Sequence, residues 1–270
     1  MESYSSGGKH IGIIGGSGPE AGILLAQALV DAKKAFLGAS YKTDKDAPHF
    51  TLYSVPPIGG PHLPEEFVPG STARNELWCN LRSILRNIAP NVDFICIACN
   101  TLHIFESDIR EFLLTLSESK GVSCEFVSII DATLLEVKRR GYSSLRIFGS
   151  KVITNYNDGA LDQSDGVISP YSRLNGIVKL VAIHAKEKDN MQKLISSIKQ
   201  HGPHGALLQN SFKELIDASP VPCILACTEF DLLMNNVRTN SMVELVDSRK
   251  VLFPTFALAK LLIEKSSAGN

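Results

Sequence analysis

The sequence predicts an α/β protein in which a parallel sheet flanked by helices is formed twice. Strand-like apolar runs alternate with segments of helical periodicity along all 270 residues. At roughly 150 residues per domain, this length fits one large domain or two small ones. An internal sequence similarity favours two domains, because residues 95–101 (ICIACNT) resemble residues 223–228 (CILACT). In each copy a buried strand leads to a cysteine with a threonine close behind it.

The composition excludes several classes of protein. Apolar residues make up 44% of the chain and charged residues 20%, which is typical of a globular protein and not of a disordered one. With 27 basic and 28 acidic side chains, the net charge is −1, so nucleic acid and anionic membranes are not expected partners. No run of 18 apolar residues occurs, so no transmembrane helix is expected. Six cysteines in a chain with a large core favour a reducing, cytoplasmic location.

Short apolar runs and helical spacing predict the elements of the first half. The expected strands are residues 11–14, 49–55, 93–98 and 126–130, and the expected helices are residues 20–36, 72–88, 102–116 and 133–140. After Asp93, the run at 93–98 is continuously apolar, as a strand covered on both faces of its sheet requires. The helix at 72–88 has its leucines and isoleucines at helical spacing and stops before a proline. The Pro- and Gly-rich loop at 56–70 is long enough to suspect a functional role.

The second half follows the same alternation. The expected strands are residues 145–148, 166–169, 221–226 and 242–246, and the expected helices are residues 173–187, 191–200, 205–218 and 256–264. Here too one strand, at 221–226, is an apolar run that ends at a cysteine. A Gly-Tyr-Ser-Ser stretch at 141–144 gives a weak boundary between the halves.

Cys99 and Cys227 are the candidate reactive groups. Each leaves a predicted strand just before a helix, where backbone N–H groups and the helix dipole favour a thiolate. Ligands of open α/β sheets bind beyond the carboxyl ends of the strands. Two facing thiols are suited to remove a proton from one face of a carbon and return one to the other face. Because a carbon acid beside a carboxylate is very weak, such a site must also stabilise the developing negative charge.

Three motifs connect these cysteines to a known family: residues 11–21 (IGIIGGSGPEA), 98–103 (ACNTLH) and 226–229 (ACTE). Together and in this order they resemble the motifs of the aspartate/glutamate racemase family, and the resemblance extends from about residue 10 to residue 264. It implies two pseudo-symmetric Rossmann-like domains with the active site in the cleft between them. The expected domains are residues 8–130 with 250–266, which carry Cys99, and residues 131–249, which carry Cys227.

The resemblance also implies a function and a set of site residues. It implies a racemase of a small amino acid, free of pyridoxal phosphate and metal and commonly a homodimer. The two catalytic roles fall on Cys99 and Cys227. The implied substrate contacts are Gly16, Ser17, Asn100, Thr101, Ser150, Arg173, Thr228 and Glu229.

The sequence departs from the family's aspartate-type members in the loop after the second strand. Those members carry a Pro-x-Asp-Arg-like element there, and its arginine binds a substrate carboxylate. Residues 55–61 read VPPIGGP without an arginine, and His62 follows. In addition, Ser17 stands where methionine is common. The amino acid that serves as substrate therefore stays open.

Other interpretations of the same residues also stay open. Relatives in the wider superfamily isomerise maleate, decarboxylate arylmalonates or racemise hydantoins, and a homologue that only binds an amino acid is a further alternative. A zinc site at Cys99, His103 and Cys227 is a weaker alternative because no fourth ligand is evident. A phosphate site at residues 15–18 is equally weak because the glycine spacing fits neither nucleotide-binding motif.

Overall fold

Two four-stranded sheets form the framework of the protein, whose computed structural model describes residues 8–155, 167–203, 206–239 and 250–268. The first sheet consists of β1 (Ile11–Gly15), β2 (Phe50–Ser54), β3 (Phe94–Ile97) and β4 (Glu125–Phe126). The second consists of β5 (Ser144–Phe148), β6 (Lys179–Leu180), β7 (Cys223–Leu225) and β8 (Val251–Leu252). Their strand orders are β2-β1-β3-β4 and β6-β5-β7-β8, and all pairings are parallel. This repeated order confirms the predicted α/β class.

Helices flank both sheets. They are α1 (Pro19–Leu37), α2 (Thr72–Ile88), α3 (Glu106–Lys120), α4 (Ile129–Arg140), α5 (Ala185–His201), α6 (Ala206–Asp217), α7 (Thr228–Thr239) and α8 (Pro254–Ser267). The residues of β1 and β3 are buried throughout, because helices cover both faces of the first sheet. The closing helix α8 packs against α1 and α4. In the part of the chain that the structure describes, no helix combines the length and the apolar character needed to cross a membrane.

The predicted strand at 126–130 is wrong beyond Phe126. The hydroxyl of Ser128 accepts hydrogen bonds from the backbone N–H groups of Ile130 and Asp131, which makes it the N-cap of α4. The apolar pair Ile129 and Ile130 is therefore the buried start of a helix. Short apolar runs do not distinguish a strand from a buried helix turn.

The predicted helix at 173–187 is also wrong. Pro170–Leu174 is a short 3₁₀ helix, and the chain then turns at Gly176, whose φ of 83° lies in the left-handed region. Lys179 and Leu180 pair with β5 as strand β6, and α5 begins only at Ala185. In the first half, the helix predicted at 102–116 starts as a 3₁₀ turn, Thr101–Phe105, before α3.

Three further predictions concern the second half of the chain. Residues 167–169 are not a strand, and Gly166 lies outside the described residues, as does the strand predicted at 242–246. Val251 and Leu252 pair with β7, so β8 belongs to the second sheet although the sequence predicts residues 250–266 in the first domain. The domain boundaries themselves stay a prediction.

Candidate active site

Cys99 and Cys227 occupy equivalent positions in the two sheets. Cys99 lies just beyond β3, the strand between β1 and β4, and Cys227 lies just beyond β7, the strand between β5 and β8. Both are free thiols. Each half of the repeated fold thus delivers one sulfur at the carboxyl end of the same strand, as the internal sequence similarity predicts.

Cys99 is buried beneath the loop between β1 and α1. The Ser17 hydroxyl donates a hydrogen bond to its sulfur at 3.3 Å, and Nε2 of His62 lies 2.9 Å from the same hydroxyl oxygen. Burial raises the pKa of the Cys99 thiol, although the Ser17 hydrogen bond, a backbone N–H of Leu102 and the charge of Lys199 act to lower it. Cys99 is therefore a neutral thiol in a site that partly offsets its desolvation.

Cys227 has a different kind of neighbour. Its half-buried thiol donates a hydrogen bond to Oε2 of Glu229 at 2.8 Å, and the Thr228 hydroxyl donates to the same oxygen at 3.4 Å. Burial raises the pKa of Cys227 well above its usual value, and the charge and hydrogen bond of Glu229 raise it further. The nearby Lys199 acts in the opposite direction. The thiol thus holds its proton firmly.

Lys199 connects the two thiol environments, and sequence reasoning missed it. From the end of α5, its Nζ atom lies 3.6 Å from Oε1 of Glu229 and donates to the Gly60 carbonyl at 3.0 Å. Burial alone would lower the pKa of Lys199, but Glu229 and the two thiols outweigh it and raise the pKa. The i, i+4 spacing places Lys199 on the same side of α5 as the buried Met191 and Ile195, but this spacing alone does not mark it as a site residue.

A cavity of about 300 Å³ opens beside this charged pair. It lies among the β1–α1 loop, the loop after β2 and the facing ends of α5 and α7, and Gly16, Gly18, Lys199 and Glu229 are among its lining residues. Gly16 has a φ of 109°, and a Cβ atom there would lie 2.4 Å from the carbonyl carbon of Val55. A Cβ atom on Gly18 would lie 3.0 Å from Oε1 of Glu229. Gly16 therefore lets the β1–α1 loop pack against the backbone of Val55, and Gly18 leaves room for the carboxylate of Glu229.

Polar side chains extend the site beyond Cys99. The Tyr171 hydroxyl donates to Oδ1 of Asn100 at 2.7 Å, while Nδ2 of Asn100 is buried without a hydrogen-bond partner among the described residues. The hydroxyls of Thr101 and Ser150 lie 3.1 Å apart, which joins the first half of the chain to the second. An unpaired buried amide is costly in a folded protein, so Nδ2 is available to a bound ligand.

Comparisons with known proteins show the family to which this chain belongs. The sequence matches the Asp/Glu/Hydantoin racemase family over residues 14–254. The chain belongs to the Asp/Glu/Hydantoin racemase family. This membership confirms the resemblance seen in the three motifs and identifies the protein as an isomerase of the racemase type.

Individual relatives of the racemase family are distant in sequence. The broad specificity amino-acid racemase RacX of Bacillus subtilis (strain 168) is 23% identical over 251 residues, which cover 90% of this chain and 94% of that protein. The aspartate racemase of Picrophilus torridus has a TM-score of 0.65 at 23% identity, with 96% and 94% of the two chains covered. The maleate isomerase Iso of Pseudomonas putida S16 has a TM-score of 0.57 at 14% identity, with 95% and 92% covered. The two structures share the fold with this chain.

Arg173, which the resemblance to the racemase family implied as a substrate contact, makes other contacts in the structure. Its guanidinium group forms ion pairs with Glu106 and Asp131, at 3.2 Å for Glu106, and its side chain is 46% exposed. Like Cys99, Cys227, Ser17, Asn100, Thr101, Ser150 and Thr228, it is not among the residues that line the cavity. The basic group that reaches the cavity is Lys199 instead.

His103 supports the loop after β3 and is not placed as a metal ligand. Its Nδ1–H donates to the Cys99 carbonyl at 2.9 Å, and its Nε2 accepts the backbone N–H of Ile129 at 3.1 Å. Burial lowers the pKa of His103 from 6.5 to about 4, so the ring is neutral. With both ring nitrogens occupied, the weaker zinc interpretation loses its histidine ligand. Within the described ranges, no group of three or more His, Cys, Asp or Glu side chains is arranged to hold a metal ion.

Proposed function

We propose that the protein is an amino-acid racemase that inverts the α-carbon by proton transfer between Cys99 and Cys227, without pyridoxal phosphate. The observation that supports this function is the shared charged pair. Lys199 and Glu229 act electrostatically on both thiols, although the thiols come from opposite halves of the fold. Two acid–base groups with a common pair of charges are suited to one small substrate that carries both signs of charge.

In this proposal the two sulfurs act on opposite faces of the substrate's α-carbon. One thiolate removes the α-proton from one face of the carbon, and the other cysteine, as a neutral thiol, returns a proton to the opposite face. The product is the other enantiomer, and the two cysteines have exchanged their protonation states. The reverse reaction uses the same groups in exchanged roles, so the site accepts either enantiomer.

The charged and polar groups of the site suit an amino acid. Lys199 offers a cation for the α-carboxylate, and Glu229 offers an anion for the α-ammonium group. The unpaired Nδ2 of Asn100 offers a further donor. When the α-proton leaves, negative charge spreads onto the carboxylate, where a preorganised cation and donors stabilise it most. We assign Gly16, Ser17, Thr101, Ser150 and Thr228 to the walls of this same site.

The reaction has to begin from neutral thiols, since burial raises the pKa of both. An ammonium group that binds beside them brings a positive charge, which lowers the pKa of a neighbouring thiol. Substrate binding thus helps to create the base that it needs. A small amino acid fits the cavity of about 300 Å³. The proposal includes the homodimer and the cytoplasmic location that the family resemblance and the cysteine content imply.

The direct test is exchange of the α-proton with solvent. The protein is incubated in D₂O with one amino acid at a time, as the L and as the D enantiomer, and products are followed by NMR and chiral chromatography. We expect α-deuterium and the opposite enantiomer to appear for at least one amino acid, and not with the double variant Cys99→Ala/Cys227→Ala. Folded protein that exchanges no α-proton in the whole set contradicts the proposal.

A further inference from the structure

Ser17 and His62 form a buried pair that the proposed racemase chemistry does not yet use. Both side chains are almost fully buried, with exposures of 4% and 3%. The Ser17 hydroxyl lies between Nε2 of His62, at 2.9 Å, and the sulfur of Cys99, at 3.3 Å. The three side chains come from three separate segments, the β1–α1 loop, the loop after β2 and the end of β3.

The backbone holds His62 in an uncommon conformation. Its φ of 54° lies in the left-handed region, which residues other than glycine seldom adopt. The ring is buried against Phe67, with ring centroids 5.6 Å apart. The loop after β2, which carries His62, packs closely on the β1–α1 loop, which carries Ser17. The closeness shows at Gly59, where a Cβ atom would lie 2.9 Å from the Gly16 carbonyl oxygen. A residue held in this way has a fixed orientation toward Ser17.

The hydrogen bonds define which atoms carry protons. If Ser17 donates to the sulfur, its oxygen accepts from His62, and Nε2 carries the ring hydrogen. Nδ1 is then the bare nitrogen; it has no hydrogen-bond partner of standard geometry within the described ranges, although the backbone of Ile58 interacts with the ring and acts to raise its pKa. Burial, with the charge of Lys199 as a second cause, lowers the pKa of His62 to about 4. The imidazole is therefore a neutral donor at physiological pH.

Cys227 has no such donor pair among the described residues. Its thiol gives its own hydrogen to Glu229, whereas the sulfur of Cys99 receives one from Ser17. A hydrogen bond to the charged form of a group favours that form, and a nearby like charge disfavours it. The other charges that act on the Cys99 sulfur, Lys199 and Glu229, act on Cys227 as well. The two thiols therefore differ in two ways: the Cys99 sulfur accepts a side-chain hydrogen bond from Ser17, and Cys227 lies directly against the charge of Glu229.

We propose that Ser17 and His62 are positioning residues that direct a hydrogen bond to the Cys99 sulfur, so that Cys99 loses its proton more readily than Cys227 and becomes the base when a substrate binds to the resting enzyme. This inference rests on the proposed function, because it assigns unequal roles to the two cysteines of one reaction. No proton leaves His62 in this arrangement. The imidazole orients the hydroxyl, and the hydroxyl stabilises the thiolate.

The test measures the pH midpoint at which each cysteine reacts with iodoacetamide, read separately for the peptides of Cys99 and Cys227 by mass spectrometry. In the wild type we expect a lower midpoint for Cys99 than for Cys227. Ser17→Ala is expected to raise the Cys99 midpoint by about one pH unit, which means about tenfold slower alkylation at a pH below it. Ser17→Thr, which keeps the hydroxyl, is expected to restore the midpoint.

A second pair of variants tests His62. His62→Leu removes the donor and is expected to raise the Cys99 midpoint, and His62→Gln, which places an amide donor near Nε2, is expected to lower it again. The midpoint of Cys227 in the same molecules is the internal control and is expected to stay constant. An unchanged Cys99 midpoint in folded Ser17→Ala and His62→Leu would overturn the inference.

The readout separates this inference from the proposed function. Alkylation does not require turnover. A shifted Cys99 midpoint in a protein that exchanges no α-proton would therefore support the positioning role of Ser17 and His62 and contradict the proposed racemase activity. Loss of racemisation in Ser17→Ala at an unchanged Cys99 midpoint would contradict the positioning role of Ser17 and His62 and would be consistent with the proposed racemase activity. In active variants, the acidic limb of the kcat/KM profile is expected to move to higher pH together with the Cys99 midpoint.

Discussion

The ammonium group of Lys199 lies 3.6 Å from a carboxylate oxygen of Glu229, and both residues line the cavity. Lys199 lowers the pKa of each thiol and Glu229 raises it. One ion pair thus adjusts two acid–base groups that are far apart in sequence. A zwitterionic ligand is able to replace each half of the pair with its own opposite charge.

Lys199→Met tests the cationic half of this pair. Without the lysine, both thiols lose a charge that lowers their pKa, and the carboxylate of the substrate loses its counter-charge. We expect KM for the amino acid to rise and kcat/KM to fall about 10- to 100-fold, since a hydrogen bond to a charged group contributes roughly 1.5–3 kcal/mol. Lys193→Met, on the exposed side of the same helix, is the matched control. Equal kinetics in the two variants would exclude a substrate contact at Lys199.

Cys99→Ser and Cys227→Ser test the division of labour between the thiols. Each is expected to lower racemisation about 100- to 10,000-fold, the usual effect of removing a general acid or base. Each variant retains one thiol, so it is expected to keep solvent exchange of the α-proton for one enantiomer only, and the two variants for opposite enantiomers. NMR in D₂O measures this preference. The exposed Cys79→Ser serves as control, and loss of exchange for the same enantiomer in both variants would contradict a two-base mechanism.

Arg173→Ala tests whether the family-derived substrate contact exists. In the structure this arginine pairs with Glu106 and Asp131 at the surface. We therefore expect kcat/KM to stay within about twofold, and the free energy of unfolding to fall by no more than about 1 kcal/mol, as for other exposed ion pairs. Denaturant unfolding and the racemisation assay measure the two effects. A large increase in KM without a change in stability would indicate that Arg173 contacts the substrate after all.

The lowered pKa of His103 predicts that the free energy of unfolding decreases in acid. Its pKa is lowered to about 4 in the folded protein, against 6.5 for an ordinary histidine. The unfolded chain therefore binds the proton first as the pH falls. The full contribution is present above pH 6.5, and the free energy of unfolding decreases by about 1.4 kcal/mol per pH unit for this group between about pH 6.5 and 4.

Denaturant unfolding at several pH values measures that slope. His62 contributes in the same direction, because its pKa is also lowered to about 4. The variant His103→Gln is expected to be less stable at neutral pH but to show a smaller dependence on pH than the wild type. An identical slope in the two proteins would mean that His103 binds its proton at the same pH in the folded and the unfolded protein.

Local sequence patterns determined much of the fold. The helix predicted at 72–88 is α2 with the same bounds, because its leucine spacing and its ending before Pro90 are local properties. Strand β6 escaped prediction because two residues, Lys179 and Leu180, become a strand only through pairing with β5. The start of α4 was missed for a different reason, since the capping signal of Ser128 was present but the apolar pair behind it resembled a strand.

The site shows the same division between local and distant information. Cys99 and Cys227 were recognisable because each ends an apolar run with a polar turn. Lys199 was not, because its role depends on how the end of α5 meets the start of α7 in space. The partnership of His62 with Ser17 likewise joins residues 45 positions apart, through a loop whose conformation no short pattern specifies.

The repeated strand order has a mechanical consequence. Because each half of the chain carries one sulfur, any motion that spreads the halves pulls the proton donor away from the proton acceptor. Lys199 restrains such a motion, since it belongs to the second half of the chain and donates a hydrogen bond to the Gly60 carbonyl of the first half. The lysine that we propose binds the ligand thus also helps to hold the two halves of the chain together.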